Sequence, residues 1–189
     1  MTGIIILAAG SSSRLGRPKQ NLVYKGQTLL QRAIEAAMAS VCKPVIVVLG
    51  ANSDVIKQFI EDFDIALVQN AYWPEGMSSS IRAGVSELKK NAPNADSAIL
   101  MLCDQPFVNA DLIDQLVQKK SSKPIVASAY NNTIGPPVMF DAAYFDELLL
   151  LKGQEGAKKL MMKHANDVVT LPFPKGSIDI DTPEDFEKL

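Results

Sequence analysis

Gly3 to Lys19 reads GIIILAAGSSSRLGRPK. The apolar run Ile4 to Ala9 predicts a strand buried on both faces, as in a parallel sheet. It stops at Gly10, and the polar loop Ser11, Ser12, Ser13, Arg14, Leu15, Gly16, Arg17, Pro18, Lys19 follows. A buried strand running into such a loop places it at the carboxyl edge of the sheet, where open α/β sheets bind ligands. Gly10 and Gly16 are expected to take backbone angles closed to other residues, so that successive N–H groups converge on an anion. Arg14, Arg17 and Lys19 add cations, and the combination suits a phosphate chain. The spacing is not that of a Walker loop, which needs four residues between its glycines and a Lys directly after the second. The G-x-G-x-x-G dinucleotide fingerprint is absent too.

Strands and helices alternate through most of the chain. Thr28 and Gln31 have capping-box spacing, ahead of an apolar stripe at Leu29, Leu30, Ala33, Ile34, Ala37 and Met38. Val45 to Leu49 reads as a strand, and Asn52 or Ser53 caps a helix carrying Val55, Ile56, Phe59, Ile60 and Phe63. Strand signals return at Ile65–Val68, Ala98–Leu102 and Ile125–Ala129, with helices between them around Ile81–Leu88 and after the Asn109 cap. Gln69 to Ser80 is too polar and irregular for an element, and Ser78 has the chemistry of a cap. Ile134 to Phe140 reads as a turn into a short strand, followed by two helices split at Gly153 and a late strand, Val168–Leu171. Thr182 caps a last helix with Pro183 at its first position. This order predicts an α/β fold with a mostly parallel sheet covered on both faces. No repeat or linker divides residues 1–189, so one domain is expected.

Composition narrows the function. The chain has 189 residues, 47% of them hydrophobic, with a net charge of −2 and a pI of about 5.4. Disorder and the usual basic nucleic-acid surface are not indicated. No apolar stretch reaches membrane-spanning length, Ile4–Ala9 is too short for a signal core, and a cytoplasmic protein with no membrane partner is expected. Two cysteines, Cys42 and Cys103, fit reduced thiols. The single histidine, His164, closes a helical pattern, so neither a His-rich zinc site nor a Ser–His–Asp triad is expected.

Two acidic segments carry candidate chemistry. Asp104 directly follows the Ala98–Leu102 strand, at the same sheet edge as the Gly10 loop. It would hold Mg²⁺ beside a triphosphate, or serve as a turn residue before Pro106. In DIDTPED, alternation places Asp179 and Asp181 on one face of an extended segment, while Glu184 and Asp185 suit a helix N-terminus. The Gln69–Ser80 loop opens at the ligand edge, where Gly76 permits close backbone approach and Ser78, Ser79 and Ser80 offer hydroxyls. Trp73 reads as a packing residue rather than a stacking one.

The motif L-A-A-G-x-S-x-R-x-G-x-P-K, together with C-D-Q-P at 103–106, E-G-M-S-S-S-I-R-A-G at 75–84 and D-T-P at 181–183, resembles the MobA-like nucleotidyltransferases. Ala8-Ala9 looks most like their molybdopterin cytidylyltransferase branch, known as MocA; the GTP-using branch usually has Gly-Gly there. The resemblance covers Gly3 to Phe186. It implies a three-layer, Rossmann-like (glycosyltransferase-A-like) fold and Mg²⁺-dependent transfer of CMP from CTP to the terminal phosphate of molybdopterin. It implies a nucleotide site of Leu7, Ala8, Ala9, Gly10, Ser11, Ser12, Ser13, Arg14, Lys19, Asn70, Gly76, Ser80 and Asp104. Arg14, Lys19 and Asp104 would be catalytic, and Asp104 and Asp181 would hold the metal. The implied acceptor site includes Gly135, Pro137 and Gly156, although Gln154 and Lys158 stand where the family usually has Asp and Arg. A molybdenum hydroxylase would be the recipient of the product. The alternatives are a guanylyltransferase or sugar-phosphate nucleotidyltransferase, an oxidoreductase on the same scaffold, or a non-catalytic accessory protein for the molybdenum cofactor.

Overall fold

A computed structural model describes residues 1–13, 15–180 and 182–187. Arg14 and Asp181, both candidate site residues, lie outside the described residues. The chain opens with β1 (Thr2–Ala8), a small hairpin of β2 (Val23–Tyr24) and β3 (Gln27–Thr28), and α1 (Leu29–Ala39). Then come β4 (Val45–Leu49), α2 (Ser53–Lys57), β5 (Ala66–Gln69), α3 (Met77–Asn91), β6 (Ser97–Leu102) and α4 (Ala110–Lys119). The remainder is β7 (Ile125–Tyr130), β8 (Thr133–Asp141), α5 (Phe145–Leu149), α6 (Ala157–Lys163), β9 (Val168–Pro172) and α7 (Pro183–Glu187).

Seven strands form one sheet in the order β5-β4-β1-β6-β8-β7-β9. The pairs β5–β4, β4–β1, β1–β6 and β7–β9 are parallel, and β8 runs antiparallel to both β6 and β7. Alternation along β1 sends Ile4, Ile6 and Ala8 to one face, against Leu30 and Ile34 of α1 and Ile113 and Leu116 of α4. Ile5 goes to the other face, against Ile81, Val85 and Leu88 of α3. Each fully buried Ile or Leu contributes about 1.5–3 kcal/mol, so both faces of the strand are held in register. This is the three-layer α/β/α arrangement expected of buried parallel strands.

Local signals explain most boundaries. Thr28 and Gln31 form the reciprocal capping box at α1, and Asn109 Oδ1 accepts from Leu112 N–H at α4, at 3.0 Å. Thr182 and Asp185 close a similar reciprocal cap at α7. His164 is the C-terminal cap of α6 and faces Glu147. The β2–β3 turn, which sequence reading leaves as a break at Gly26, has φ of +51° at Lys25 and +85° at Gly26. Positive φ at both central residues matches the twist of a two-residue hairpin.

Four expectations are corrected. The helix read over Val55–Phe63 is regular only to Lys57, and Phe59 and Val55 are 43% and 52% exposed. Ile56 and Ile60 are buried in the core and Phe63 packs against it part-buried, so the apolar pattern overstates the buried face at Val55 and Phe59. The irregular Gln69–Ser80 stretch contains a short turn of 3₁₀ helix at Trp73–Glu75 and the start of α3. Gly76, not Ser78, is the N-terminal cap of α3, and Ser78, Ser79 and Ser80 are buried in its first turn. The short strand expected before Phe140 is nine residues long and lies inside the sheet. Its two prolines are accommodated where the β7–β8 register shifts, between Ala127 and Ser128; proline lacks the N–H that a regular ladder uses.

Candidate active site

The Gly10 loop closes on itself after β1. Ser12, not Gly10, takes a left-handed conformation, with φ of +54°, and Gly16 does the same at +66°. Ser12 C=O accepts from Leu15 N–H at 3.0 Å, and Ser12 Oγ accepts from Lys19 N–H at 3.0 Å. Gln20 holds the loop from below. Fully buried, it donates through Nε2 to Ala8 C=O at 2.7 Å and Gly10 C=O at 3.0 Å, while its Oε1 faces Ser12 Oγ at 3.4 Å. Buried polar groups require such partners, so Gln20 sets the loop's shape. A lone Gln inside a 3₁₀ turn carries no sequence signal for this role.

Lys19 then reaches across to the end of β6. Its Nζ lies 2.5 Å from Asp104 Oδ2, with side-chain exposures of 17% and 8%. The other carboxylate oxygen, Asp104 Oδ1, is buried and has no hydrogen-bond partner among the described residues. Ile180 N–H donates to Asp104 C=O at 3.1 Å, so the segment ahead of Asp181 is pinned to this corner although it is 76 positions away in sequence. Cys103 borders the corner, but burial, reinforced by the Asp104 charge, pushes its thiol pKa up to about 12. It is therefore a neutral thiol at ordinary pH and no nucleophile.

A cleft of about 320 Å³ opens between the loop, the β6 corner and the start of α3. Of the expected nucleotide residues, Leu7, Ala9, Gly10, Ser11, Lys19, Gly76, Ser80 and Asp104 line it. Ala8 is buried behind the wall, and Ser12 serves the loop's internal bonds. Asn70 is also behind the wall. Its Nδ2 donates to Ser79 Oγ at 2.9 Å and Ser80 Oγ at 3.1 Å, and its Oδ1 accepts from Tyr72 N–H. Asn70 therefore orients Ser80 and is not itself a wall residue. Ser13 is exposed and is not among the lining residues. Sequence reading misses Pro74, Met77 and Gln154 as wall residues; Trp73 both packs on the core and lines the cleft.

The loop 152–156 is stitched over the start of α3. Ser78 donates to Gly153 C=O through both its N–H, at 3.2 Å, and its Oγ, at 2.8 Å. Arg82 donates to Leu151 C=O at 2.7 Å and to Glu75 Oε2 at 2.7 Å. Gly76 has φ of +114°, and a Cβ there would fall 2.7 Å from Gly153 C, so only glycine fits between the two segments. These bonds bring Gln154, at the position of a usual family Asp, onto the cleft wall.

The expected acceptor residues lie on two elements that pack together, α6 and β8. Gly156 stands at the start of α6, beside Met77 Sδ. Gly135 and Pro137 are buried in β8, where Pro137 C=O accepts from Ser128 Oγ at 2.7 Å. Next to them, a second cavity of about 230 Å³ is bounded by Leu102, Gln105, Tyr130, Ser177 and Asp179 among others. Leu102 belongs to both cavities, so they flank one strand end. Burial raises the pKa of the Tyr130 hydroxyl, a side-chain hydrogen bond with Gln105 acts in the opposite sense, and the Asp179 and Asp104 charges push the same way as burial. Lys158, at the position of a usual family Arg, donates to Thr133 Oγ1 at 3.0 Å.

Residues 4–168 match the MobA-like NTP transferase domain. The chain belongs to that family. Its relatives include the nicotine blue oxidoreductase of Paenarthrobacter nicotinovorans, 28% identical over 100% of this chain and 96% of the relative. The molybdenum cofactor cytidylyltransferase of Escherichia coli is 23% identical over 96% and 92%. Among solved structures, Rv0371c of Mycobacterium tuberculosis superposes with a TM-score of 0.86 at 27% identity, covering 99% of this chain and 96% of that one. A manganese complex of the same protein gives a TM-score of 0.80. This member of the MobA-like NTP transferase family thus carries a nucleotidyltransferase domain on a Rossmann-like, mostly parallel sheet. Among the described residues, no helix is long and apolar enough to cross a membrane.

Proposed function

We propose that this member of the family transfers CMP from CTP to the terminal phosphate of a molybdopterin-type acceptor. The observation that carries the reading is the Lys19–Asp104 pair at the mouth of the cleft, with Asp104 Oδ1 buried and unpartnered among the described residues. A carboxylate oxygen so placed fits a hard divalent cation, and such ions take few protein ligands when phosphates supply the rest. Asp104, with Asp181 as the second ligand, would hold Mg²⁺, whose charge would offset that of the phosphates. The family resemblance of the D-T-P segment and the pinning of Ile180 to the Asp104 corner support Asp181.

An acceptor phosphate oxygen attacks the α-phosphorus of the triphosphate. The new P–O bond forms as the bond to the bridging α–β oxygen breaks, and pyrophosphate leaves with that electron pair. The nucleophile is already an anion, so no general base is required. This chain's residues position and neutralise. The N–H groups of Gly10–Ser13 cradle phosphate oxygens, Lys19 offsets charge on the transferring group and pyrophosphate, and Arg14 assists it. Ser80, oriented by Asn70, and the close backbone at Gly76 hold the nucleoside. Ala8-Ala9, the form that resembles the cytidylyl branch, supports a pyrimidine over a purine.

The test is pyrophosphate release with each nucleoside triphosphate, Mg²⁺ and molybdopterin. CTP is expected to give the highest kcat/KM; a GTP preference moves the protein to the guanylyl reading. The whole-length similarity to nicotine blue oxidoreductase favours a second, oxidoreductase reading. That reading is adopted if no pairing of triphosphate and acceptor releases pyrophosphate. A molybdenum hydroxylase would receive the product, in the cytoplasm.

A further inference from the structure

A third cavity, of about 520 Å³, opens between α1, the start of α4 and the turn that follows β9. It shares no residue with the nucleotide cleft. Pro106, Phe107, Phe173 and Pro174 give it apolar walls, and the charged residues on it are Arg32 and Lys175. Among the described residues, no Asp or Glu lines it, in a chain whose net charge is −2. Charge of one sign in an apolar concavity concentrates the opposite ion there.

Among the described residues, no carboxylate pairs with either cation. Arg32 carries five N–H donors and meets one acceptor, Pro106 C=O, at 3.5 Å, the outer limit of a hydrogen bond. Tyr24 holds it in place, with the ring centroid 5.2 Å from the guanidinium carbon. Lys175 Nζ lies 5.0 Å from the centroid of Phe107, and Phe107 meets Tyr24 edge to face at 6.4 Å. Both cations are thus anchored on one aromatic pair. A ring face attracts a cation and leaves the guanidinium edge for an oxygen acceptor. Arg32 Nε is closed off, so the two terminal nitrogens form that edge, a fork that matches a carboxylate.

We propose that this cavity binds a small organic acid with a flat apolar body. Arg32 takes the carboxylate, Lys175 adds the second positive charge, and the body lies against Phe107, Phe173 and the prolines. The volume falls within the roughly 300–1,000 Å³ of small-molecule sites, which combine apolar walls with a few placed polar groups. Because its walls are separate from those of the nucleotide cleft, the acid is a second ligand, bound alongside the nucleotide and not in its place.

The experiment is equilibrium dialysis of the full chain against 2-naphthoate and against 2-naphthamide, a neutral ligand of the same shape, with and without CTP and Mg²⁺. Wild type is expected to prefer naphthoate by about tenfold or more, the scale of a charge-assisted hydrogen bond, with the same affinity when CTP is present. In Arg32→Met the preference should collapse towards equality. Lys175→Met changes an exposed turn residue and should weaken naphthoate several-fold while naphthamide is unaffected, even if Arg32→Met fails to fold. CTP affinity should be unchanged in both variants. Naphthoate binding weaker than about 1 mM, equal binding of the two ligands by wild type, displacement of naphthoate by CTP, or an undiminished preference in the variants overturns the inference. Dialysis needs no turnover, so its result is separate from that of the pyrophosphate assay.

Discussion

The ammonium of Lys19 and the carboxylate of Asp104, 85 positions apart, meet at 2.5 Å where the Gly10 loop crosses the end of β6. Two parallel strands, β1 and β6, are paired from Thr2–Ser97 to Leu7–Leu102. That register brings the segments that follow them to one edge, and the pair is the consequence.

Lys19→Ala should reduce turnover on the order of a hundredfold or more, through loss of charge stabilisation at the transferring phosphate. It also leaves a largely buried carboxylate without its ammonium, which costs a few kcal/mol. Thermal melting should therefore drop by roughly 2–4 °C for each kcal/mol lost, with the folded circular dichroism spectrum retained. Turnover within a few-fold of wild type removes Lys19 from the mechanism.

Asp104→Asn and Asp181→Asn should each abolish activity. Asn keeps the shape and removes the charge, so Mn²⁺ affinity, read from the electron paramagnetic resonance of the free ion, should fall by more than about tenfold. Triphosphate binding through the loop should persist weakly. If only Asp181→Asn remains active, Asp179 is the second ligand. Unaltered Mn²⁺ affinity in Asp104→Asn sinks the metal assignment.

Gln20→Leu should raise KM for CTP several-fold with a smaller change in kcat, since it loosens the loop without touching the phosphates. Losing the donors to Ala8 and Gly10 carbonyls costs about 1–3 kcal/mol. A variant with wild-type KM and wild-type melting would show that the loop holds its shape without Gln20.

Asp96 gives a pH prediction. Its hydrogen bond to Lys120, helped by the N-terminal amine and Ser97, lowers its pKa from 3.8 to about 2. Its contribution is fully present above the unfolded value and is lost as pH falls through about 2. Asp96→Asn should flatten the melting temperature between about pH 4 and 2 relative to wild type; parallel curves would deny the pair any role in stability.

Periodicity and caps alone determined the alternation of elements, the buried strands read at Ile4–Ala9 (which ends at Ala8) and Val45–Leu49, the capping box at Thr28 and Gln31, and the caps at Asn109 and Thr182. They are local: a 2.0 or 3.6 repeat and a side chain within three residues of its N–H. The motif residues Gly10 and Asp104 were legible for the same reason, each following a strand's carboxyl end, and Lys19 as the cation that closes the Gly10 loop. Tertiary structure decided what depends on distant partners. The antiparallel insertion of β8 could not be read, because its prolines fit only where the β7 register shifts. The cap at Gly76 depends on Gly153 lying over it, and Asn70 orients Ser80 from behind the wall rather than lining it. Gln20 and Gln105 look like any polar residue in sequence. Only the carbonyls of Ala8, Gly10, Pro136 and Gly176, gathered by long-range packing, turn one into a brace for the loop and the other into a tie between β8 and the segment at Gly176.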